Sequence, residues 1–313
     1  VALSTPPVLT DAACSPRRIA SASARAFAGL KPWQLVTALA YGVNVLAVSV
    51  PGRIDGEMQR RAQAEARAAK AKDENAKEKT HAIPLDSEYR SLFTPAGWAF
   101  AIWGAIYAGE FALVAHALAS ASGGGASEAA TRAVAPSWAL ACAFQALWCA
   151  AFRPWAKAPR HFWVSSALLV AEAVALGSAH RALRAAASAA SKAWYWTTHV
   201  PLSMHFGWIS CAALVNLNSH VAKTCAPDTQ LATAFLSAFG AGGLGAAVTL
   251  TTGDPVYALV IAWALTAVAS DGGKRTTETL ADVPLKALTK AARWGARAAL
   301  ASVVVSQMPA FAA

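Results

Sequence analysis

The stretch Phe93-Thr94-Pro95-Ala96-Gly97-Trp98-Ala99-Phe100-Ala101-Ile102-Trp103-Gly104-Ala105-Ile106-Tyr107 decides how the remaining sequence is read. Pro95 and Gly97 interrupt the backbone just ahead of an uncharged apolar run. Trp103 and Tyr107 stand four residues apart and share one face of the helix that this run predicts. Two aromatics on one face suit plain packing as well as a binding surface. The composition around them narrows the choice. Of the 313 residues 56% are hydrophobic and 14% charged, against roughly 45–50% and about 25% in soluble domains. Twelve tryptophans add a residue that favours membrane–water boundaries and aromatic-lined cavities. These proportions exclude an ordinary soluble enzyme and a disordered chain, and they predict an integral membrane protein.

A membrane-crossing helix needs about 20 mostly apolar residues. Seven windows qualify, 33–51, 96–119, 135–152, 162–180, 195–220, 230–252 and 255–270, the last of them short. An all-α integral membrane protein with about seven transmembrane helices follows, because a helix satisfies its own backbone in lipid. Alanine and glycine dominate the windows, with Gly240, Gly242, Gly243 and Gly245 clustered in the sixth, and small residues let helices approach closely. The net charge of +10 comes from Lys and Arg in the segments between apolar runs. There they set topology and meet anionic headgroups; no nucleic-acid partner is expected. The five cysteines show no C-x-x-C spacing, and neither a disulfide framework nor a protein metal site is expected.

Four regions are predicted. Residues 1–32 form an N-terminal arm rich in Ala, Ser, Pro and Arg, of transit-peptide composition. Residues 33–220 carry five spans, with a charged insert at 53–90. Within the insert, 53–81 reads as a polar helix with i,i+4 pairs such as Glu57–Arg61 and Asp73–Lys77. Two further spans occupy 221–270. The tail 271–313 holds an amphipathic helix over 282–305, in which Asp282 and Pro284 suit the first turn and Lys286, Lys290, Arg293 and Arg297 form one stripe. That stripe predicts a helix lying in the membrane interface.

The 93–107 run resembles the signature of the translocator-protein/TspO family, the tryptophan-rich sensory proteins. Two further segments agree in order: Gln145-Ala146-Leu147-Trp148 resembles the family's Asn-x-x-Trp, and Val200-Pro201-Leu202, Trp208 and Asn216-Leu217-Asn218 resemble the pattern of its fifth helix. The resemblance covers about residues 33–220, and the wording is similar to a longer branch with two extra C-terminal spans. Ala96 and Gln145 depart from the family's Pro and Asn, and the 53–81 insert lengthens the loop that helps cover its cavity. The resemblance implies a five-helix bundle around an aromatic-lined cavity for a flat apolar ligand: a porphyrin, a chlorophyll-type tetrapyrrole or a sterol-like lipid. The positions that it assigns to ligand binding are Trp98, Trp103, Tyr107, Gln145, Trp148, Trp208 and Asn216.

Polar residues inside the windows, among them Asn44, Glu110, His116, Glu172, His205, Asn216 and Asn218, are functional candidates because exposing them to lipid is costly. His116 and His205 are candidate axial ligands to a pigment magnesium. No Ser/His/Asp order, phosphate loop or paired carboxylates stands out. A non-enzymatic binding protein is therefore expected, with tetrapyrrole or lipid modification as the enzymatic alternative. A second expectation, from another class, is a structural accessory subunit of a larger membrane complex, such as a photosynthetic light-harvesting supercomplex, contacted through residues 1–32 and 53–81. The transit-like arm points to a plastid (thylakoid) membrane. A transporter would be expected to show internal repeats, and the two halves share none.

Overall fold

The computed structural model describes residues 29–49, 90–119, 125–151, 161–186, 191–273 and 282–308. The arm before residue 29 and the charged insert, with its Glu57–Arg61 and Asp73–Lys77 pairs, lie outside them. Among the described residues all regular structure is helical. Helix α1 spans 32–49. A 3-10 turn over Gly97–Ala101 leads into α2, Ile102–Ala119, followed by α3, Ala126–Ala151, and α4, Trp163–Ala186. Helix α5, Val200–Thr224, is continuous with a π-helical turn at Tyr195–His199 and a first turn at Lys192–Trp194. Then come α6, Pro227–Thr252, α7, Pro255–Asp271, and α8, Asp282–Ser306. Five helices, Gly97–Ala119, Ala126–Ala151, Trp163–Ala185, Lys192–Thr224 and Pro227–Thr252, are long and apolar enough to cross a membrane; α7 is apolar but shorter.

The hairpin between α6 and α7 shows how local chemistry sets the topology. Gly253 ends α6 at φ 69°, a left-handed conformation that glycine adopts without steric cost. The Asp254 side chain then caps α7 by accepting the Val256 N–H at 2.9 Å, with Pro255 in the first turn. The Thr249 hydroxyl donates to the Asp254 carbonyl at 2.8 Å and closes the turn. Only two residues separate the helices, so they run antiparallel.

Helix α1 fits between α2 and α3 through polar ties. The Gln34 amide donates to the Ala117 carbonyl at 2.6 Å, the Tyr41 hydroxyl to the Tyr107 carbonyl at 3.0 Å, and the Asn44 amide to Gln145 Oε1 at 2.8 Å. At the opposite flank α8 packs on α6 and α7 along Leu288, Ala291, Ala292, Ala296 and Ala299, all buried. A Cβ on Gly295 would stand 2.6 Å from the Ala238 carbonyl oxygen. A Cβ on Gly242 would stand 2.6 Å from the Gly295 Cα, so the two backbones touch where both helices carry glycine.

The placement of α8 differs from the interfacial helix expected of its basic stripe. Leu285 packs near Gly273 at the end of α7, Gly295 lies against Leu265, and Gly245, Ile261 and Ala299 meet at one level. Gln307 shares a cavity wall with Gly253, Asp254 and Pro255 at the start of α7. Helix α8 therefore runs the length of α7, antiparallel to it, and does not lie across the bundle end. The seam of small residues opposite the stripe supplies the reason. Lys286, Lys290, Arg293 and Arg297 remain exposed on the outer face, with the Arg297 guanidinium 5.0 Å from the centre of the Trp294 ring.

Candidate functional site

The Thr94–Ala101 segment is held by α7. The Ala96 N–H donates to the Ala267 carbonyl at 3.0 Å, and the Trp263 indole N–H donates to the Ala99 carbonyl at 3.1 Å. Fixing this segment shapes one wall of a cavity of about 400 Å³, within the roughly 300–1,000 Å³ range of small-molecule sites. Trp103 of α2, Trp148 of α3 and Trp208 of α5 face it, joined by Phe93, Phe100 and Asn216. Helix α7 closes it with Ala264, Leu265 and Val268, and Arg90 reaches it beside Thr94. Arg90 forms an ion pair with Asp271.

Ring geometry fixes the aromatic lining. Trp103 stacks on Tyr107 at 5.2 Å and 15° and meets Trp208 edge to face at 6.2 Å; Phe100 meets Trp208 edge to face at 5.6 Å. The Trp148 N–H donates to Ser165 Oγ at 2.9 Å, and the Ser165 hydroxyl donates to Asn216 Oδ1 at 2.5 Å. These bonds orient the Trp148 indole and also occupy the Asn216 carbonyl, while the Asn216 amide N–H₂ donates to the Ala212 carbonyl at 3.0 Å. Asn216 thus lines the cavity with its polar atoms already engaged, and Arg90 and Thr94 supply polar character at the wall.

Of the seven positions assigned from the resemblance, the structure brings Trp103, Trp148, Trp208 and Asn216 together. Trp98 is 44% exposed and packs edge to face on Trp263 at 4.7 Å. Gln145 donates to the Tyr107 hydroxyl at 3.0 Å while accepting from Asn44, so Gln145 and Tyr107 join α1, α2 and α3 and do not line the cavity. His116 lies half-buried on α2, also outside the lining. His205 is fully buried, with Nδ1 2.7 Å from Glu110 Oε1 and Nε2 3.1 Å from Glu172 Oε1. Both ring nitrogens face carboxylates, so pigment ligation by this histidine would have to displace one of them. The Trp138 indole N–H adds a bond to Glu110 Oε1 at 2.9 Å. Trp103 bridges the two regions, lining the cavity and meeting the His205 ring edge to face at 5.8 Å.

Sequence reasoning missed the α7 wall and Arg90. In the sequence the 255–270 window reads as one of two additional spans, and residue 90 falls at the end of the charged insert 53–90. A readable signal exists in Ala264, Leu265 and Val268, which share one helical face.

A family model described as TSPO-like protein matches residues 75–304. The chain belongs to the TSPO-like protein family. It is thus a membrane protein of the TspO type, in keeping with its apolar helices. The match reaches through α8, so the C-terminal helices that close the cavity and pack outside it are part of the family region, whereas the motif resemblance ran over 33–220. No curated protein and no solved structure matches the chain.

Proposed function

We propose that this TSPO-like protein binds a flat, apolar ligand of the tetrapyrrole class in the Trp103–Trp148–Trp208 cavity, without catalysis, for sensing or transfer. The observation that carries the reading is the convergence of three indoles from three separate helices on one cavity, with a guanidinium at its wall. Indole and phenyl faces suit a planar macrocycle, and a peripheral carboxylate would share the Arg90 guanidinium with Asp271. A bound tetrapyrrole would supply a conjugated chromophore; the chain supplies the apolar enclosure and the orientation. Sterol-like lipids share the apolar character but offer no planar face for the indoles to stack on, so the rings favour the tetrapyrrole. The composition of residues 1–32 supports a plastid membrane as the site of action.

The test is titration of the purified protein in detergent with a dicarboxylic porphyrin, read by quenching of Trp fluorescence and by the porphyrin absorption band. Saturable binding is expected. Ala212→Trp, which fills the cavity and keeps its indoles, should weaken binding at least about tenfold, or about 1.4 kcal/mol. The Trp103→Leu/Trp148→Leu double variant should abolish saturation. Equal affinity in all three proteins would place the porphyrin elsewhere and remove the proposal.

A second reading, an accessory subunit of a larger membrane complex, is supported by α8. Arg293 and Arg297 are exposed on a helix that runs along the bundle side, where lipid contact is costly for a charge and an acidic protein partner would offset it. Reversing both charges should release the chain from such a complex on native gels in mild detergent. Unchanged migration would remove this reading.

A further inference from the structure

At the bundle end where α6 turns into α7, three elements bring together side chains that the aromatic cavity does not use. We propose that His180 of α4, His199 of the π-helical turn and Asp254 of the α6–α7 hairpin form a binding site for a divalent transition metal of the zinc class. All three are buried, and one donor atom from each lies within 4.8 Å of the others. His180 Nε2 stands 2.7 Å and His199 Nε2 3.5 Å from Asp254 Oδ2. Bond lengths of about 2.0–2.1 Å to a tetrahedral ion place neighbouring donor atoms about 3.3 Å apart, so only small shifts separate this arrangement from a ligand set.

The surroundings hold the donors in place. Asp254 Oδ1 is committed to the Val256 N–H and its carbonyl to Thr249, which leaves Oδ2 for the histidines. His199 stacks on Tyr195 at 5.0 Å and meets Trp194 edge to face at 6.2 Å. The π-helical turn puts His199 in this position, and such turns recur at functional sites.

A cavity of about 270 Å³ adjoins the cluster, lined by His199, Asp254, Arg184, Tyr195 and Gln307 among others. Arg184, Ser191, Gly253 and Gln307 are exposed, so the cavity opens at the bundle surface and gives an ion access. Three protein donors with the fourth position facing a polar cavity is the form of an open zinc site, in which water or an anion completes the shell. Arg184 opposes the cation and favours an anion or hydroxide in that position. Two imidazoles and one carboxylate are a borderline donor set, which selects zinc, cobalt or nickel over magnesium or calcium.

The experiment uses the full chain without a histidine tag, purified in detergent and stripped with a chelator. Zn(II) titrated by calorimetry and Co(II) titrated by visible absorption should each show one saturable equivalent, the cobalt with the intense bands of tetrahedral coordination. His180→Ala and His199→Ala should each weaken that equivalent by more than about 100-fold, beyond the loss of an outer-shell contact. Asp254→Asn keeps the cap geometry and should weaken it as well. Helical content and porphyrin binding, measured on the same preparations, report whether the variants fold. Absence of a saturable equivalent in the unmodified chain overturns the site, whatever the variants do. So does an equivalent that persists in both histidine variants, which would trace it to other donors.

Discussion

Glu110, His205 and Glu172 come from α2, α5 and α4 and are each fully buried. A buried charge is tolerated when its partners remain, and removing one partner leaves the others uncompensated at a cost of about 3–5 kcal/mol. His205→Leu should therefore lower the unfolding free energy in detergent by an amount in that range, seen as a steep drop in the unfolding midpoint. Adding Glu110→Gln and Glu172→Gln to the same chain removes the stranded carboxylates and should recover most of the loss. If the triple variant is no more stable than the single one, the loss comes from packing volume and the trio is not an electrostatic unit. The trio also constrains the cavity, because the His205 ring sits against the edge of Trp103. The triple variant should consequently bind porphyrin less tightly while remaining folded, a split that affinity and midpoint measured on one preparation will reveal.

At the scale of elements, glycines divide by what faces them. A Cβ on Gly295 would come within 2.6 Å of the Ala238 carbonyl oxygen and 3.0 Å of Leu265, whereas one on Gly243 would meet nothing within 4 Å. Gly295→Leu should destabilise the protein by about 1–3 kcal/mol or more through overpacking and expose α8 to protease, while Gly243→Leu, on the same α6–α8 sheath, should change the unfolding midpoint little. Equal behaviour of the two would mean that α8 is not docked by this seam. The contrast also separates what the sequence carried from what it could not. Each of the seven apolar windows contains a helix, because hydropathy over about 20 residues is a local property, and of the indoles in 96–119, 135–152 and 195–220 the structure brings Trp103, Trp148 and Trp208 to one cavity while Trp98, Trp138 and Trp196 lie outside its lining. The packing of α8 along α6 and α7 was not legible because its basic stripe is readable in one dimension, whereas the matching glycine seam involves residues fifty apart. The His180–His199–Asp254 cluster was unreadable for the same reason, since its donors sit on three elements with no short spacing. Trp98 shows the converse: it stands in the most recognisable stretch, yet one turn of 3-10 helix points it at Trp263 and away from the cavity.

For the molecule as a whole, the course of α8 determines which ends share a side of the membrane. Helix α6 starts next to Cys225, an exposed thiol, and ends at the Gly253–Asp254 hairpin. Helix α8 begins beside Gly273, at the end of α7 that lies with Arg90 and Asp271, and finishes with Gln307 at the hairpin. Cys225 and Gln307 therefore stand at opposite ends of the bundle. An interfacial α8 would keep both near one surface. A membrane-impermeant thiol reagent applied to sealed, uniformly oriented vesicles should label Cys225 and an introduced Gln307→Cys from opposite sides, with the modified peptides located by mass spectrometry. Labelling of both from one side would return α8 to the interface and make the seam with α6 a feature of the bundle rim. Opposite labelling would place Lys286 and Lys290 near the headgroups, where long stems let charges snorkel. Arg293 and Arg297 would then lie deeper, with Arg297 shielded by Trp294 on one face and open on the other. Two arginines held at depth on an outer face are stable in a bilayer when something anionic meets them. The same labelled preparation, crosslinked through Gln307→Cys or a cysteine placed at Arg297, would then retrieve that group as a protein neighbour or an acidic lipid.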